Sequence, residues 1–223
     1  MHIERTEIGE AVLKENDREA AGNRERFRAE KVLAVNLMGA PGAGKTTLLV
    51  SLADRMRDVP LAVVEGDIAG DADSKRISEA GVPVYQINTY GACHLLASQV
   101  AHAWEHLCEG AETPPKMLFI ENVGNLVCPA EFDLGEALRM VVYSVPEGAD
   151  KPSKYPLMFL RTQAVVLNKA DLAAAGGVDV GDLRSNVMLV NPAASVFTVS
   201  ATTGEGLDEL VDWLRQRLEA YGG

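Results

Sequence analysis

KVLAVNLMGAPGAGKTTLL, residues 31–49, joins two patterns that seldom meet by chance. Its first nine residues form an almost unbroken apolar run ending in glycine, as expected of a strand buried on both faces of a parallel sheet. Gly39-Ala40-Pro41-Gly42-Ala43-Gly44-Lys45-Thr46 then fits G-x-x-x-x-G-K-[ST] at every fixed position. A helix is expected over 44–57. The order strand, glycine loop, helix is what the chemistry requires: glycines let the backbone curl so that successive N–H groups point at phosphate oxygens, and the helix N-terminus adds positive potential. Gly39, Pro41, Gly42, Ala43, Gly44, Lys45, Thr46 and Thr47 are the candidate phosphate-binding residues. Lys45 is expected at the β- and γ-phosphates and the Thr46 hydroxyl on Mg²⁺.

Outward from this stretch, short runs rich in Val, Ile and Leu recur at 60–65, 82–87, 116–121, 138–145, 163–167 and 195–199. Helical patterns lie between several of them, near 72–80, 92–109, 180–186 and 205–220. Buried strands alternating with helices predict an α/β fold: a mostly parallel central sheet with helices on both faces. Residues 147–156 (EGADKPSKYP) read as a polar surface loop. The first 30 residues are crowded with mixed charge. Ile8, Val12 and Glu15 share one helical face there, so residues 1–30 read as a helical arm and residues 31–223 as the nucleotide-binding domain.

Composition limits the partners. Lys and Arg number 21 against 32 Asp and Glu, a formal charge of −11 over 223 residues. Such a surface repels phosphate backbones and anionic lipid, so neither nucleic acid nor a membrane is the expected partner. Only three cysteines occur, Cys93, Cys108 and Cys128, and no secretory signal precedes them. That argues against a disulfide scaffold and for a reducing cytoplasm.

Asn168-Lys169-Ala170-Asp171 directly follows the run QAVVL. It has the N-K-x-D form that reads guanine: a carboxylate at Asp171 accepts from N1–H and the 2-amino group, a pair of donors that adenine lacks. Ser200-Ala201-Thr202 follows the next strand and suits a loop backing the base. GTP and GDP are therefore the expected nucleotides. Glu65-Gly66-Asp67 and Glu121-Asn122-Val123-Gly124 end two other strands. Carboxylates at the C-terminal edge of a parallel sheet are placed to bind Mg²⁺ or its waters, with Asp67 and Glu121 the candidate ligands beside Thr46. Asp71 and Asp73 lie in an acidic, glycine-rich segment that suits a mobile switch. Either could position water or simply face solvent.

Cys93-His94 is expected at the start of the 92–109 helix, and Cys128 just beyond the 116–121 strand. Thiolate and imidazole suit Zn²⁺ and Ni²⁺, and three ligands leave a shell open or to be completed by a symmetry mate. Spacing alone favours two buried structural cysteines. His102 and His106, at i and i+4, read as a solvated helix face, and Cys108 as core or helix end. Lys151 and Lys154 suit either a phosphate contact or a plain surface.

Taken in order, GAPGAGKTTLL, the EGD segment, GACHL, ENVGNLVCPAEFDLGE, SVPEGADKPSKYP and NKADL resemble the hydrogenase nickel-incorporation GTPases, the HypB-type metallochaperones, over about residues 33–215. The related urease accessory GTPases carry a C-P-H metal motif. Here Cys-His and Cys-Pro are separate. The resemblance implies a SIMIBI-type P-loop GTPase fold and GTP-controlled homodimerisation. It further implies nickel delivery to a hydrogenase precursor together with other maturation proteins. Cys93, His94 and Cys128 would carry Ni²⁺, or Zn²⁺, at the dimer interface. Lys45, Asp67, Asp73, Glu121 and Gly124 would serve hydrolysis, with Gly124 donating its N–H to the γ-phosphate. Two departures stand out. The family's cysteine-rich and histidine-rich N-terminal segments do not occur in these residues. The usual G-K-x-C-H-L-D reads Tyr90-Gly91-Ala92-Cys93-His94-Leu95-Leu96, with the basic residue missing and leucine in place of the acid.

Overall fold

The computed structural model describes every residue except Met1, His2, Ala69, Gly110, Glu112 and Gly223, and only the backbone of residues 3–9. Seven strands form one sheet: β1 (Leu33–Met38), β2 (Leu61–Asp67), β3 (Val84–Asn88), β4 (Met117–Glu121), β5 (Leu138–Ser144), β6 (Ala164–Asn168) and β7 (Ser195–Thr198). Their order is β3-β2-β4-β1-β5-β6-β7 and every pairing is parallel. The larger helices are α1 (Ile3–Ala29), α2 (Lys45–Arg55), α3 (Ala72–Glu79) and α4 (Ala97–Cys108), followed after β4 by the single turn α5 (Cys128–Glu131). After β5 come α6 (Lys151–Lys154) and α7 (Pro156–Leu160), then α8 (Ala173–Gly176), α9 (Val180–Val190) and α10 (Leu207–Gly222).

The two-residue period of β1 assigns its side chains to two layers. Leu33, Val35 and Leu37 enter the core beneath α2, α3 and α10, packing with Leu48, Leu52, Ile77 and Leu210. Ala34 faces the other way, toward Val100 and Trp104 of α4 and Phe27 of α1. A third cluster lies under α7 and α9, where Tyr143 and Leu167 meet Phe159 and Val187. Because all strands run the same way, the loops following β1, β2, β4 and β6 emerge at one edge of the sheet.

Four expectations change. Helix α4 begins at Ala97, five residues later than the sequence pattern suggests, and Cys93 and His94 stand in the loop before it. Asn16 Oδ1 accepts from the Ala97 N–H at 2.9 Å, and Gln99 Oε1 from that of Leu96 at 2.9 Å; these bonds satisfy the first orphan donors of the helix and fix its start. Helix α9 runs on to Val190. Residues 147–156 are not a loop but the end of a 3₁₀ turn followed by α6 and the start of α7, with Pro152 buried. In α1 the inward stripe is Asn16, Ala20, Asn23 and Phe27, while Val12 is exposed and Ile8 lies outside the described side chains.

Candidate nucleotide and metal site

The loop between β1 and α2 needs its glycines for space. Gly44 has φ +91°, and a Cβ there would lie 2.5 Å from Asn168 Nδ2. The space is used by a direct stitch between two candidate nucleotide elements. Asn168 donates to the Ala43 carbonyl at 2.9 Å and accepts from the Ala201 N–H at 3.1 Å, and Lys169 Nζ donates to the Gly42 carbonyl at 2.6 Å. Asn168 and Ser200 are buried, whereas Asp171 and Thr202 are exposed at the rim. The buried members hold the loops and the exposed ones face outward.

Pro41, Gly42, Lys45, Glu65, Asp67, Asp73, Glu121 and Gly124 line one cleft of about 200 Å³. Lys45 and Thr46 are buried at the head of α2, and the Thr46 hydroxyl donates to Glu121 Oε1 at 2.9 Å. The other oxygen of Glu121 and Oε2 of Glu65 are buried without a hydrogen-bond partner among the described residues. Buried acceptors without donors are costly, and two of them beside Thr46 fit a hard, oxygen-seeking dication such as Mg²⁺. Burial, reinforced by the Glu121 carboxylate, pushes Glu65 up to about 8. Burial likewise raises Glu121 to about 7, against the pull of Lys45 and the Thr46 hydroxyl. Glu65 stands outside the ligand set expected from the sequence; its signal was its place at a strand end two residues before Asp67.

Asp67 accepts from the N–H groups of Ile68 at 2.6 Å and Gly70 at 2.9 Å, which folds the chain after β2 back on itself. Asp73 lies in the first turn of α3 rather than in a free loop, with Arg76 at 3.4 Å. Gly124 passes so close to the phosphate loop that a Cβ would sit 2.9 Å from Pro41 Cα. A larger cleft of about 430 Å³ lies behind Ala201–Gly204 beside Arg55; it holds none of the expected phosphate or metal residues, whereas Lys45, Asp67 and Glu121 line the smaller one.

At the same sheet edge, ligand atoms of Cys93, His94 and Cys128 lie within 4.8 Å of one another, the one such group of three among the described residues. Cys93 Sγ is 3.5 Å from His94 Nδ1, and the His94 ring stacks on Phe132 with centroids 3.7 Å apart. Burial lowers the His94 pKa, favouring the neutral imidazole that ligates metals. The hydrogen bond with Cys93, then burial, pushes the Cys128 thiol up to about 11. All three cysteines are free. Soft thiols and a neutral imidazole converging this closely fit Ni²⁺ or Zn²⁺. Phe132 carried no signal in the sequence.

Other flagged residues lie elsewhere. His102 and His106 are exposed on α4, rings 4.4 Å apart and both against Tyr85. Cys108 ends α4, half-buried against the core. Lys154 pairs with Asp150 at 2.5 Å in solvent. No helix among the described residues is long and apolar enough to cross a membrane.

A family profile described as CobW/HypB/UreG, nucleotide-binding domain, matches residues 33–198. The hydrogenase maturation factor HypB of Rhizobium leguminosarum bv. viciae is 47% identical over 209 residues, covering 93% of this chain and 69% of that protein. A crystal structure of HypB from Helicobacter pylori in complex with nickel superposes with a TM-score of 0.88 at 40% identity, covering 94% of this chain and 98% of the other. HypB from Archaeoglobus fulgidus gives 0.85 at 39% identity, covering 92% and 100%. The order of motifs, the parallel sheet and these likenesses agree, and the chain belongs to the CobW/HypB/UreG family, on its HypB side.

Proposed function

We propose that this protein hydrolyses GTP and uses that cycle, as a homodimer, to deliver nickel during hydrogenase maturation. The observation that carries this reading is the single sheet edge on which a phosphate loop and a Cys-His-Cys cluster stand side by side. Lys45 and the backbone N–H groups of Gly42–Thr47 hold the phosphates. Asp171 reads guanine, and Ser200–Thr202 back the base. Thr46, Asp67 and Glu121, with Glu65 beside them, would hold Mg²⁺, which when bound would supply positive charge against the phosphates. Asp73 orients the attacking water and Gly124 senses the γ-phosphate. With positioning and charge doing most of the work, intrinsic turnover is slow.

Nickel is the cargo. Cys93, His94 and Cys128 leave its shell incomplete in one chain, and Tyr90, 90% exposed, and Val127, 51% exposed, flank those ligands with apolar surface suited to a second copy. Loss of the γ-phosphate contacts would loosen the pair and release the ion to a hydrogenase precursor and its other maturation proteins. Zn²⁺ fits the same donors. Residues 1–30 act as an arm and residues 31–223 as the GTPase domain, working in the cytoplasm where the thiols stay reduced.

The test is a nickel titration with mass measurement by light scattering, in GDP and in a non-hydrolysable GTP analogue. Tighter nickel binding and a doubled mass are expected with the analogue, and identical values in both states sink the coupling. Cys93→Ala/Cys128→Ala is expected to lose the bound nickel. Unchanged metal content in that variant would make the cysteines structural. The Helicobacter pylori relatives are named hydrogenase/urease maturation factors, so a urease precursor is the second client to try.

A further inference from the structure

Asn122 follows Glu121 at the end of β4 and is 1% exposed. Its side-chain oxygen accepts two backbone N–H groups, Val123 at 3.0 Å and Leu95 at 3.2 Å. Its amide nitrogen donates to Asn36 Oδ1 on β1 at 3.3 Å, and Asn36 donates in turn to Glu136 at 3.2 Å. The two amides held by that oxygen belong to different sites. Val123 leads into Gly124, packed on Pro41 of the phosphate loop. Leu95 directly follows Cys93 and His94.

The space between is filled. A Cβ at Gly66 would fall 2.8 Å from the Leu95 side chain, so the metal loop rests on the backbone between Glu65 and Asp67. The Thr89 N–H donates to the Asp67 carbonyl at 2.9 Å and secures the other end of the same loop. Buried polar groups with no spare partners have few ways to rearrange. If the 123–124 segment is pulled toward a γ-phosphate, the oxygen shared by Val123 and Leu95 must follow it or release one amide.

We propose that Asn122 is a positioning residue that transmits the nucleotide state to the metal ligands, through the Leu95 N–H to His94 and Cys93. Among the described residues it hydrogen-bonds to neither ligand. Its carboxamide sets where the metal loop sits for each position of the phosphate-sensing loop. This rests on the reading above that nucleotide and nickel share one cycle.

The experiment measures nickel affinity of the full chain in GDP and in the non-hydrolysable analogue, for wild type, Asn122→Ala and Asn36→Ala. Coupling energies between sites typically correspond to ratios of about 5- to 150-fold, and a wild-type ratio in that range is expected. In Asn122→Ala the ratio collapses toward one while nucleotide affinity stays near wild type. In Asn36→Ala, which disturbs the same buried network but leaves the bridging oxygen in place, the ratio persists. Asn122→Ser serves if the alanine variant does not fold, because its hydroxyl is too short to reach both amides. Amide exchange at Leu95 is faster in either Asn122 variant. A wild-type ratio retained in the Asn122 variants, or lost equally in Asn36→Ala, overturns the proposal alone. A wild type indifferent to nucleotide removes the coupling itself.

Discussion

Asp171 stands exposed at the end of the turn whose first residue, Asn168, is buried and bonded to the phosphate loop and to Ala201. The exposed carboxylate is free to read a base, and its chemistry can be changed without touching the stitch below. Asp171→Asn replaces an acceptor pair with a group that donates on one side. GDP affinity is expected to fall by about two to four orders of magnitude, from two charged hydrogen bonds of roughly 1.5–3 kcal/mol each. Xanthosine diphosphate, which presents an oxygen where guanine has its 2-amino group, is expected to gain; competition binding against both nucleotides checks this. Glu65 allows a second prediction. Its pKa, raised to about 8, exceeds the unfolded value, so the folded state without nucleotide and Mg²⁺ holds a proton that the unfolded chain loses above pH 4.5. That contribution is complete below pH 4.5 and is lost as pH rises through about 8. Thermal scans of the nucleotide-free protein from pH 5 to 8 are expected to show Glu65→Gln gaining steadily on wild type, and GDP with Mg²⁺ removing the difference. A constant gap would assign the carboxyl no such role.

At the scale of elements, α1 shows what polar anchoring does. Asn23 donates to the carbonyls of Ala97 at 2.8 Å and Leu134 at 3.0 Å, Asn16 donates to that of Asp133 at 2.7 Å, and Arg24 pairs with Asp133 at 2.5 Å. Phe27 meets Trp104 edge-on, with centroids 5.6 Å apart. Asn23→Ala removes a donor from two buried carbonyls, of which that of Ala97 keeps its bond within α4, and is expected to cost about 1–3 kcal/mol, read as a lower urea midpoint with an unchanged slope. This arrangement was not legible in the sequence. Two of the four inward residues of α1 are asparagines, which a search for apolar periodicity counts as surface. The same asparagines hide the true start of α4, since the donor that fixes it is satisfied by a side chain 81 residues away. Where a signal is local, it could be read. The strand KVLAVNLMG, the glycine loop and NKAD each carry their own spacing. The buried carboxylates at 65 and 121 were visible as acids at strand ends, but not as a pair with orphan oxygens. Cys93, His94 and Cys128 were visible as residue types, yet only the fold places their ligand atoms within 4.8 Å.

For the molecule as a whole, the parallel sheet places nucleotide and metal loops together, and it also determines how slowly the chain can be assembled. The central strand β1 is flanked by β4 and β5, with Leu33 opposite Met117 and Val35 opposite Leu138. No hairpin can start the sheet, because every pairing is parallel, and both neighbours of β1 come from the second half of the chain. Closing such long loops must precede any reward from packing, so refolding after dilution from urea is expected on a timescale of milliseconds to seconds rather than microseconds, checked by stopped-flow tryptophan fluorescence. During synthesis the phosphate loop leaves the ribosome long before the strands that shelter β1. Until β5 is made, that apolar strand has no complete sheet to enter, and the nascent chain is at its most prone to aggregate.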